Sequence, residues 1–319
     1  MRRSLSAPGN VLLLGEYAVT EAGGLGVALG SGPRAVATSE PAEELSLTAR
    51  FGPEERRWPE ESLPLMEAAM EEAAEAGIEL EPHRIEVDTS SFYRGGRKLG
   101  FGSSAAATVV LTALLLTPDS HTTLPPRERL FRFALQTHRR LQGGRGSGYD
   151  VAASIWGGAI VFTGGKQPEV SRGELSWLPG LYALPGRQPV ESGYAVERYE
   201  RWKAGRPEKG ERFLCRSNEL VRRLLSAESW EEGAEALEQA KELGEELGRS
   251  IGVESTFRLT EPGETGEGDL ALRCDRGAVV LKAVGAGSEM GVLFTPCELP
   301  KGDIEAVELK PDEEGLRWE

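Results

Sequence analysis

The chain has 319 residues, of which 39% are hydrophobic and 28% charged, and its formal net charge at pH 7 is −14. This length gives room for two domains, or for one large two-lobed α/β unit, with an ample core. The acidic balance argues against long-range attraction to nucleic acid or to an anionic bilayer, so an anionic substrate would need a local basic pocket.

The cysteines and the apolar segments favour a cytoplasmic protein. Cys215, Cys274 and Cys297 are odd in number, widely spaced and without a C-x-x-C pair, which is typical of a reducing compartment with neither a disulfide framework nor a zinc site. The apolar run 11–14 is too short for a signal sequence, and no run reaches membrane-spanning length. We therefore expect no membrane partner and no nucleic-acid partner.

The first half of the chain predicts strands and amphipathic helices. A helix is expected over 60–77, where apolar residues follow helical spacing and the acidic outer face is interpreted as solvated. A basic amphipathic helix is expected over 127–142, after a polar loop at 117–126. Strand-like segments lie at 11–14, 35–38, 45–49, 84–88 and 154–163, the last interrupted by Gly157 and Gly158.

A glycine-rich loop precedes a strongly apolar helix. The segment 98–106 reads Lys-Leu-Gly-Phe-Gly-Ser-Ser-Ala-Ala; its glycines let the backbone approach a polyanion, and its serines stand beside the free N–H groups of a helix N-terminus. The helix expected over 105–116 is apolar nearly all round, which predicts a core helix with its positive dipole end at the loop. The pattern indicates a nucleotide-dependent phosphotransferase, and an ordinary serine-capped helix is the alternative.

The second half is expected to begin near residue 165, which divides the chain into lobes 1–165 and 166–319. Two or more helices are expected over 211–251. Strand-like segments lie at 175–184 and 192–196, a segment rich in Gly and Glu lies at 260–269, and two strands at 278–283 and 292–295 flank a glycine-rich loop at 285–291.

Three separated motifs resemble those of the GHMP kinase superfamily, which includes galactokinase, homoserine kinase, mevalonate kinase and phosphomevalonate kinase. They are Ser-Ala-Pro-Gly-Asn at 6–10 with Gly-Glu-Tyr-Ala-Val at 15–19, the loop 100–106, and the loop 285–291. The resemblance spans nearly the whole chain. The first motif, Gly-Ser-Gly-Tyr-Asp at 146–150 and Asn-Glu-Leu at 218–220 look most like phosphomevalonate kinase, whereas mevalonate kinases usually carry His at the position of Tyr17.

The resemblance implies a fold and an activity. The fold is α+β, with two lobes of which the C-terminal one is ferredoxin-like. The activity is phosphoryl transfer from ATP, with Mg²⁺, to phosphomevalonate, a small anionic substrate, giving diphosphomevalonate. A kinase for mevalonate or another small alcohol is the enzymatic alternative, and a catalytically weak binding or sensor protein is the other. The resemblance is compatible with a homodimer.

The resemblance also assigns roles to residues. Asp150, grouped with Lys98 as catalytic, matches the carboxylate that orients or deprotonates the acceptor hydroxyl, and a local Asx turn is its alternative. Ser104 would lie near the magnesium ion. The ATP phosphates would be held by Gly100, Gly102, Ser103, Ser104, Ala105 and Ala106, and the substrate by Asn10, Glu16, Arg145, Ser147, Gly285 and Gly287.

Several of these residues have a second interpretation. Glu16 fits a structural role as well as a functional one. The cations beside the motif loops, Lys98, Arg145, Arg97 and Lys282, could attract an anion or could simply be exposed. His138 is interpreted as a buried or capping residue, because no second ligand stands at metal-binding spacing.

Two positions depart from the superfamily pattern. Many members have Lys after Pro-Gly in the first motif, where this chain has Asn10. An amide cannot supply the positive charge that would stabilise a transferring phosphoryl group. The third motif is shorter by about one residue than the usual Ser-Gly-Ala-Gly-Gly-Gly-Asp and begins with Val284 where Ser is usual.

Overall fold

A computed structural model describes residues 2–118, 123–175, 177–178, 180–186, 192–257, 273–274, 277–285, 287, 290–297 and 306–319. The chain forms two compact units that interleave in sequence. The first unit comprises Met1–Val11, Ala28–Ile160 and Pro311–Glu319, and the second comprises Leu12–Val27 and Val161–Lys310. The expected lobes 1–165 and 166–319 stay a prediction.

The described residues form seven helices and sixteen strands. The helices are α1 (Pro64–Glu75), α2 (Ser103–Leu115), α3 (Arg127–Leu141), α4 (Tyr149–Trp156), α5 (Ser192–Ala204), α6 (Pro207–Ser226) and α7 (Trp230–Ile251). The strands are β1 (Arg3–Leu14), β2 (Leu25–Pro41), β3 (Ser46–Phe51), β4 (Glu54–Trp58), β5 (His83–Asp88), β6 (Tyr93–Arg94), β7 (Arg97–Lys98), β8 (Gly158–Thr163), β9 (Glu169–Arg172), β10 (Gly180–Pro185), β11 (Arg273–Cys274), β12 (Gly277–Ala278), β13 (Val280–Val284), β14 (Met290–Thr295), β15 (Val307–Glu308) and β16 (Arg317–Trp318).

The largest sheet supports the helices of the first unit. Its strand order is β16-β1-β2-β5-β3-β4, with β8 paired to β2 and to β9. Along β5 the residues His83, Ile85 and Val87 are buried in alternation, as expected for a strand with one face on a core. Helix α2 packs on β5 and between α3 and α4, and all its residues from Ala105 to Leu114 are buried. The apolar core helix predicted from the sequence is confirmed.

The acidic face of α1 also pairs with a basic residue of α3. Arg140 of α3 reaches three carboxylates on that face, at 3.5 Å from Glu71, 3.2 Å from Glu72 and 2.5 Å from Glu75. The interpretation of this face as solvated fits Glu71 and Glu75, whose side chains are 66% and 68% exposed, whereas Glu72 is 14% exposed. Glu75 lies four positions after Glu71 and three after Glu72, so one guanidinium can reach all three carboxylates.

The second unit contains a four-stranded antiparallel sheet. In the sequence, helices α5, α6 and α7 follow its first strand, β10, and precede its second, β13. The strand order is β13-β14-β10-β15. If β10, β13, β14 and β15 are numbered 1 to 4 in chain order, the sheet reads 4-1-3-2 from its β15 edge. This is the strand order of a ferredoxin-like sheet. The α+β fold and the ferredoxin-like second half predicted from the sequence are confirmed.

One predicted strand is wrong, and a second is correct only in its later part. Residues 192–196 form the first turns of α5, in which Ala195 and Tyr199 are both buried at helical spacing; five residues are too short a window to separate the two periods. The segment 154–163 is divided: its first residues end α4, and β8 begins at Gly158. Gly157 and Gly158 have φ values of 65° and 58°, which break the chain direction between helix and strand.

The cysteines also differ from expectation. Cys215 is free and exposed, whereas Cys297 is disulfide-bonded, so the prediction that the chain lacks disulfides is wrong. Within the described residues, no helix has the length and apolar character needed to cross a membrane. The Gly- and Glu-rich segment 260–269 lies outside the described residues.

Candidate active site

The predicted phosphate loop runs directly into the N-terminus of α2. Gly100 and Gly102 have φ values of 84° and 66°, and Gly102 is the N-cap residue of the helix. A glycine N-cap has no side chain to satisfy the N–H groups of the first turn, which point out of the helix with the positive end of its dipole. Ser103 is buried, while Ser104 is exposed at this end. The arrangement fits a phosphate group.

Asn10 lies behind this loop in the first unit. Its side chain is buried, and Nδ2 donates a hydrogen bond to Ser154 Oγ at 3.2 Å. Its main-chain N–H donates to the carbonyl of Phe101 at 3.0 Å. Asn10, predicted to contact substrate, is therefore engaged with the phosphate loop on one side and with α4 on the other.

Asp150 lies in the first turn of α4, where a carboxylate interacts favourably with the helix dipole. Its Oδ1 accepts from the N–H of Val151 at 2.9 Å, and its Oδ2 is 3.6 Å from Nδ1 of His138. The Asp150 side chain remains 20% exposed, whereas His138 is buried as interpreted from the sequence. One carboxylate oxygen is thus anchored and the other faces an imidazole. This geometry leaves the carboxylate accessible to a small acceptor.

The glycine-rich loop before α4 is fastened to α3 by Arg139. The guanidinium donates to the carbonyl of Gly146 at 3.1 Å and to that of Ser147 at 3.5 Å. Burial lowers the pKa of Arg139. Ser147 is buried at the end of this loop, and Arg145 is exposed on it. The structure therefore brings Arg145, Ser147 and Asp150 onto one short, anchored segment.

Lys98 lies on a two-stranded hairpin that leads into the phosphate loop. Strands β6 and β7 pair Tyr93 with Lys98 and Arg94 with Arg97 across a turn of two glycines with positive φ. Arg94, Arg97 and Lys98 are all exposed. For Lys98 the structure gives no ion-pair partner among residues of the described ranges. A compact basic tip therefore stands immediately before the loop.

Glu16 and Lys282 form a buried ion pair in the second unit. Lys282 Nζ contacts Glu16 Oε1 and donates to the carbonyl of Ala283 at 3.0 Å. The Lys282 side chain is 3% exposed and that of Glu16 is 16% exposed. Lys282 was one of the candidate cations for an anionic substrate; its charge is compensated by Glu16. The pair links the first motif to the strand that leads into the third motif.

Neighbouring groups hold the first motif in an unusual backbone conformation. Tyr17 has a φ of 62°, which is rare for a bulky residue, and its ring packs 5.3 Å from that of Tyr199. Burial, followed by the charge of Glu16, raises the pKa of Tyr17. Asn218 of α6 accepts from the N–H of Leu25 at 2.8 Å and donates to the carbonyl of Gly23 at 2.9 Å. Packing and hydrogen bonds thus fix the segment that carries Glu16.

The third motif is partly described. Gly285 follows β13 with a φ of 79°, and Gly287 is buried. Strands β13 and β14 pair on either side of the loop, as predicted. Residues 286, 288 and 289 lie outside the described residues.

No group of three or more His, Cys, Asp or Glu side chains suited to a metal ion is found in the part of the chain that the structure describes. The only oxygen predicted to lie near magnesium is the hydroxyl of Ser104, which is exposed at the N-terminus of α2. Mg²⁺ usually binds proteins through one or two side chains plus substrate phosphates and water. The donor set therefore fits an ion that arrives with a nucleotide.

Sequence reasoning missed Ser154 and Arg139 as parts of this site. Ser154 lies four residues after Asp150 on α4, so the two side chains share a helix face; reading 154–163 as a strand hid that relation. Arg139 belongs to none of the motifs that mark site residues in the sequence. Its role depends on the fold of the loop that it holds, and no spacing in the sequence reveals it.

A family model supports the motif resemblance. The model for the GHMP kinases N terminal domain matches residues 65–158. This range runs from α1 through α4 and contains both the phosphate loop and Asp150. No curated protein matches the chain.

Solved structures show the same fold over nearly the full chain. A Lin0012 protein from Listeria innocua has a TM-score of 0.79 and 22% identity, covering 100% of this chain and 99% of its own. Phosphomevalonate kinase of Streptococcus pneumoniae, in complex with phosphomevalonate and AMPPNP, has a TM-score of 0.73 and 18% identity, covering 92% of each chain. Mevalonate kinase of Methanococcus jannaschii has a TM-score of 0.68 and 14% identity, covering 97% and 98%. The predicted resemblance is confirmed: residues 65–158 match the GHMP kinase N-terminal domain, and the chain has the fold of these kinases.

Proposed function

We propose that this protein is a small-molecule kinase that transfers a phosphoryl group from ATP to phosphomevalonate and forms diphosphomevalonate. The observation that carries the proposal is the pairing, within the first unit, of an uncapped N-terminus of α2 behind Gly100 and Gly102 with an accessible carboxylate at Asp150. The first can bind phosphates through main-chain N–H groups. The second can orient or deprotonate an alcohol.

Each group has a task in phosphoryl transfer. Loop 100–106 would hold the nucleotide phosphates, and Ser104 would stand beside the magnesium ion. When bound, magnesium-ATP supplies the phosphoryl group and neutralises much of its charge. Asp150 would accept the proton of the acceptor hydroxyl through the carboxylate oxygen that does not bind Val151. That oxygen faces the buried His138 imidazole, whose Nδ1 is 3.6 Å away.

The basic groups of the first unit suit an acceptor that already carries a phosphate. Lys98 and Arg145 are exposed and adjoin the phosphate loop and the Asp150 loop respectively. In a chain of net charge −14 such local cations are needed to hold a dianion. The similarity to the S. pneumoniae enzyme, whose structure contains phosphomevalonate, supports the same acceptor.

The third motif keeps the substrate contacts that the resemblance implies for it. We assign Gly285 and Gly287 main-chain contacts to the acceptor, because glycines permit close approach of a backbone. Glu16 would act by fixing Lys282 and the first motif. The small size and the charge of the proposed acceptor fit a reaction in solution.

The experiment that tests this function measures ADP release by the purified full-length protein with four acceptors: phosphomevalonate, mevalonate, homoserine and galactose. We expect the largest kcat/KM with phosphomevalonate. A preference for mevalonate, or for either other acceptor, would replace the substrate but keep the reaction class. Absence of turnover with all four, together with tight magnesium-ATP binding, would instead favour a binding or sensor protein.

A further inference from the structure

Asn10 joins the two segments that carry the proposed chemistry. Its main-chain N–H donates to the carbonyl of Phe101, the residue that precedes the N-cap of α2, at 3.0 Å. Its side-chain Nδ2 donates to Ser154 Oγ on α4 at 3.2 Å. Asn10 is 3% exposed and Ser154 is fully buried. Both hydrogen bonds are thus shielded from competing water.

The fit between Asn10 and the phosphate loop is tight. A Cβ atom built on Gly102 would lie 2.4 Å from Nδ2, 2.6 Å from Oδ1 and 2.7 Å from Cγ of Asn10. The amide therefore lies directly against the backbone at the N-terminus of α2. On the other side, its acceptor Ser154 is one helical turn beyond Asp150. A shift of this amide would move the loop relative to the helix that carries Asp150.

We propose that Asn10 is a positioning residue that holds the phosphate loop in register with helix α4, and so holds the phosphoryl donor in line with the acceptor at Asp150. This inference rests on the proposed function for the identity of donor and acceptor. It explains how a neutral amide serves where many GHMP kinases carry Lys: the position contributes geometry through its bond to Ser154 and contributes no charge. In-line transfer needs such geometry, since a displacement of about 1 Å can cost up to about 10²-fold in rate.

The test uses Ser154→Ala, which deletes the hydroxyl that accepts the hydrogen bond from Asn10 Nδ2. The matched control is Ser39→Ala, which deletes another buried serine hydroxyl of the first unit, one that accepts from Arg3 Nε at 3.3 Å. We expect Ser154→Ala to lower kcat roughly 10-fold or more while the Kd of magnesium-ATP changes less than about 3-fold. Amide hydrogen exchange should quicken in both 100–106 and 149–156. Ser39→Ala should change neither kcat nor exchange in these segments.

A second variant, Asn10→Lys, separates this inference from a lost catalytic charge. If Asn10 acts by position, Lys at this site breaks the bond to Ser154 and kcat falls. A kcat above that of the parent would overturn the inference, because it would show that the site lacks a charge. An unchanged kcat in Ser154→Ala, or a loss of ATP affinity as large as its loss of kcat, would also overturn it.

The same measurements distinguish failure of the inference from failure of the proposed function. If the parent protein turns over none of the four acceptors, the proposed kinase activity fails, and hydrogen exchange alone decides the role of Asn10. Faster exchange in both segments of Ser154→Ala, but not of Ser39→Ala, would then support the link between loop and helix. Unchanged exchange would refute it.

Discussion

Asp150 combines a local structural role with accessibility. Its Oδ1 accepts from the Val151 N–H, its Oδ2 faces His138 Nδ1 at 3.6 Å, and the side chain is 20% exposed. Asp150→Asn keeps the shape and the local turn but removes the negative charge. We expect kcat to fall by about 10²-fold or more, the scale of a lost general base, with little change in the Kd of magnesium-ATP.

The control for this prediction is Asp88→Asn. Asp88 also accepts a hydrogen bond from a nearby main-chain N–H, that of Ser90, at 2.7 Å. It ends β5, outside the candidate site, so its variant should retain the parent kcat. Comparable activity of Asp150→Asn and the parent would remove Asp150 from the catalytic role and leave it as a helix-terminal residue.

Gly102 is required for two separate reasons. Its φ of 66° disfavours any side chain, and a Cβ there would collide with Asn10. Gly102→Ala should therefore weaken magnesium-ATP binding roughly 10-fold, measured by calorimetry, because the loop must shift away from the phosphates. Gly77→Ala is the control: φ is 65° and the space around it is open. The Gly77→Ala variant has the same backbone strain as Gly102→Ala, about 1 kcal/mol for a side chain at positive φ. It should bind magnesium-ATP like the parent.

At the scale of elements, the link between the first motif and β13 is a buried ion pair. Glu16→Gln leaves the charge of Lys282 uncompensated at 3% exposure and should lower the free energy of unfolding by about 3 kcal/mol. Lys282→Met should lower the free energy of unfolding by less, since the Glu16 carboxylate that it leaves unpaired is partly exposed. The double variant should lose less than the sum of the two single losses.

Urea unfolding measures these values. The control is Lys310→Met, which breaks an exposed pair with Glu308, 3.1 Å long, and should cost less than about 1 kcal/mol. Additive losses for Glu16 and Lys282 would mean that the pair does not act as a unit.

At the scale of the whole molecule, the last nine residues complete the first unit. Arg34 donates to the carbonyls of Ser6 at 3.0 Å and Gly315 at 2.7 Å, and it pairs with Asp312. The main chain of this tail also bonds to Gly158 and Gly30, beside α4. The C-terminus is thus part of the support beneath the helix that carries Asp150.

Arg34→Met tests this support. It removes the charge that pairs with Asp312 Oδ2 and the donor to the carbonyls of Ser6 and Gly315, so we expect a loss of about 3 kcal/mol in the free energy of unfolding. Amide exchange should quicken in 311–319. Arg84→Met, which removes an exposed ion pair with Glu40, is the control and should change stability by less than about 1 kcal/mol. Equal losses in the two variants would contradict a special role for Arg34.

The net charge of −14 makes the capture of an anionic acceptor depend on a few cations. Lys98→Ala and Arg145→Ala should each raise KM for phosphomevalonate several-fold, and change KM for mevalonate much less, because only the former presents a dianion. Arg132→Ala removes an exposed cation of α3 and is the control. The measurement is kcat/KM for phosphomevalonate divided by kcat/KM for mevalonate. If this ratio in both variants equals that of the parent, Lys98 and Arg145 do not bind the acceptor phosphate.

Elements with a long pattern or a local motif follow from the sequence alone. The apolar run 105–116 could only be a core helix, and the glycines at 100 and 102 marked its N-terminal loop, since both signals depend on neighbouring residues alone. Spacing also indicated α1, α3 and the helical region 211–251. The motif residues were found because each motif is continuous in sequence, and their functional roles stay predictions.

Features that join distant residues depend on the three-dimensional packing of the chain. Short segments such as 192–196 are ambiguous in period, and the burial of Ala195 and Tyr199 against neighbouring elements selected the helix. The partners of Asn10 and Glu16 are Ser154 and Lys282, 144 and 266 positions away. No local pattern specifies such pairs. Whether a charge is free or compensated, and whether an amide meets substrate or another helix, depends on what packing brings beside it.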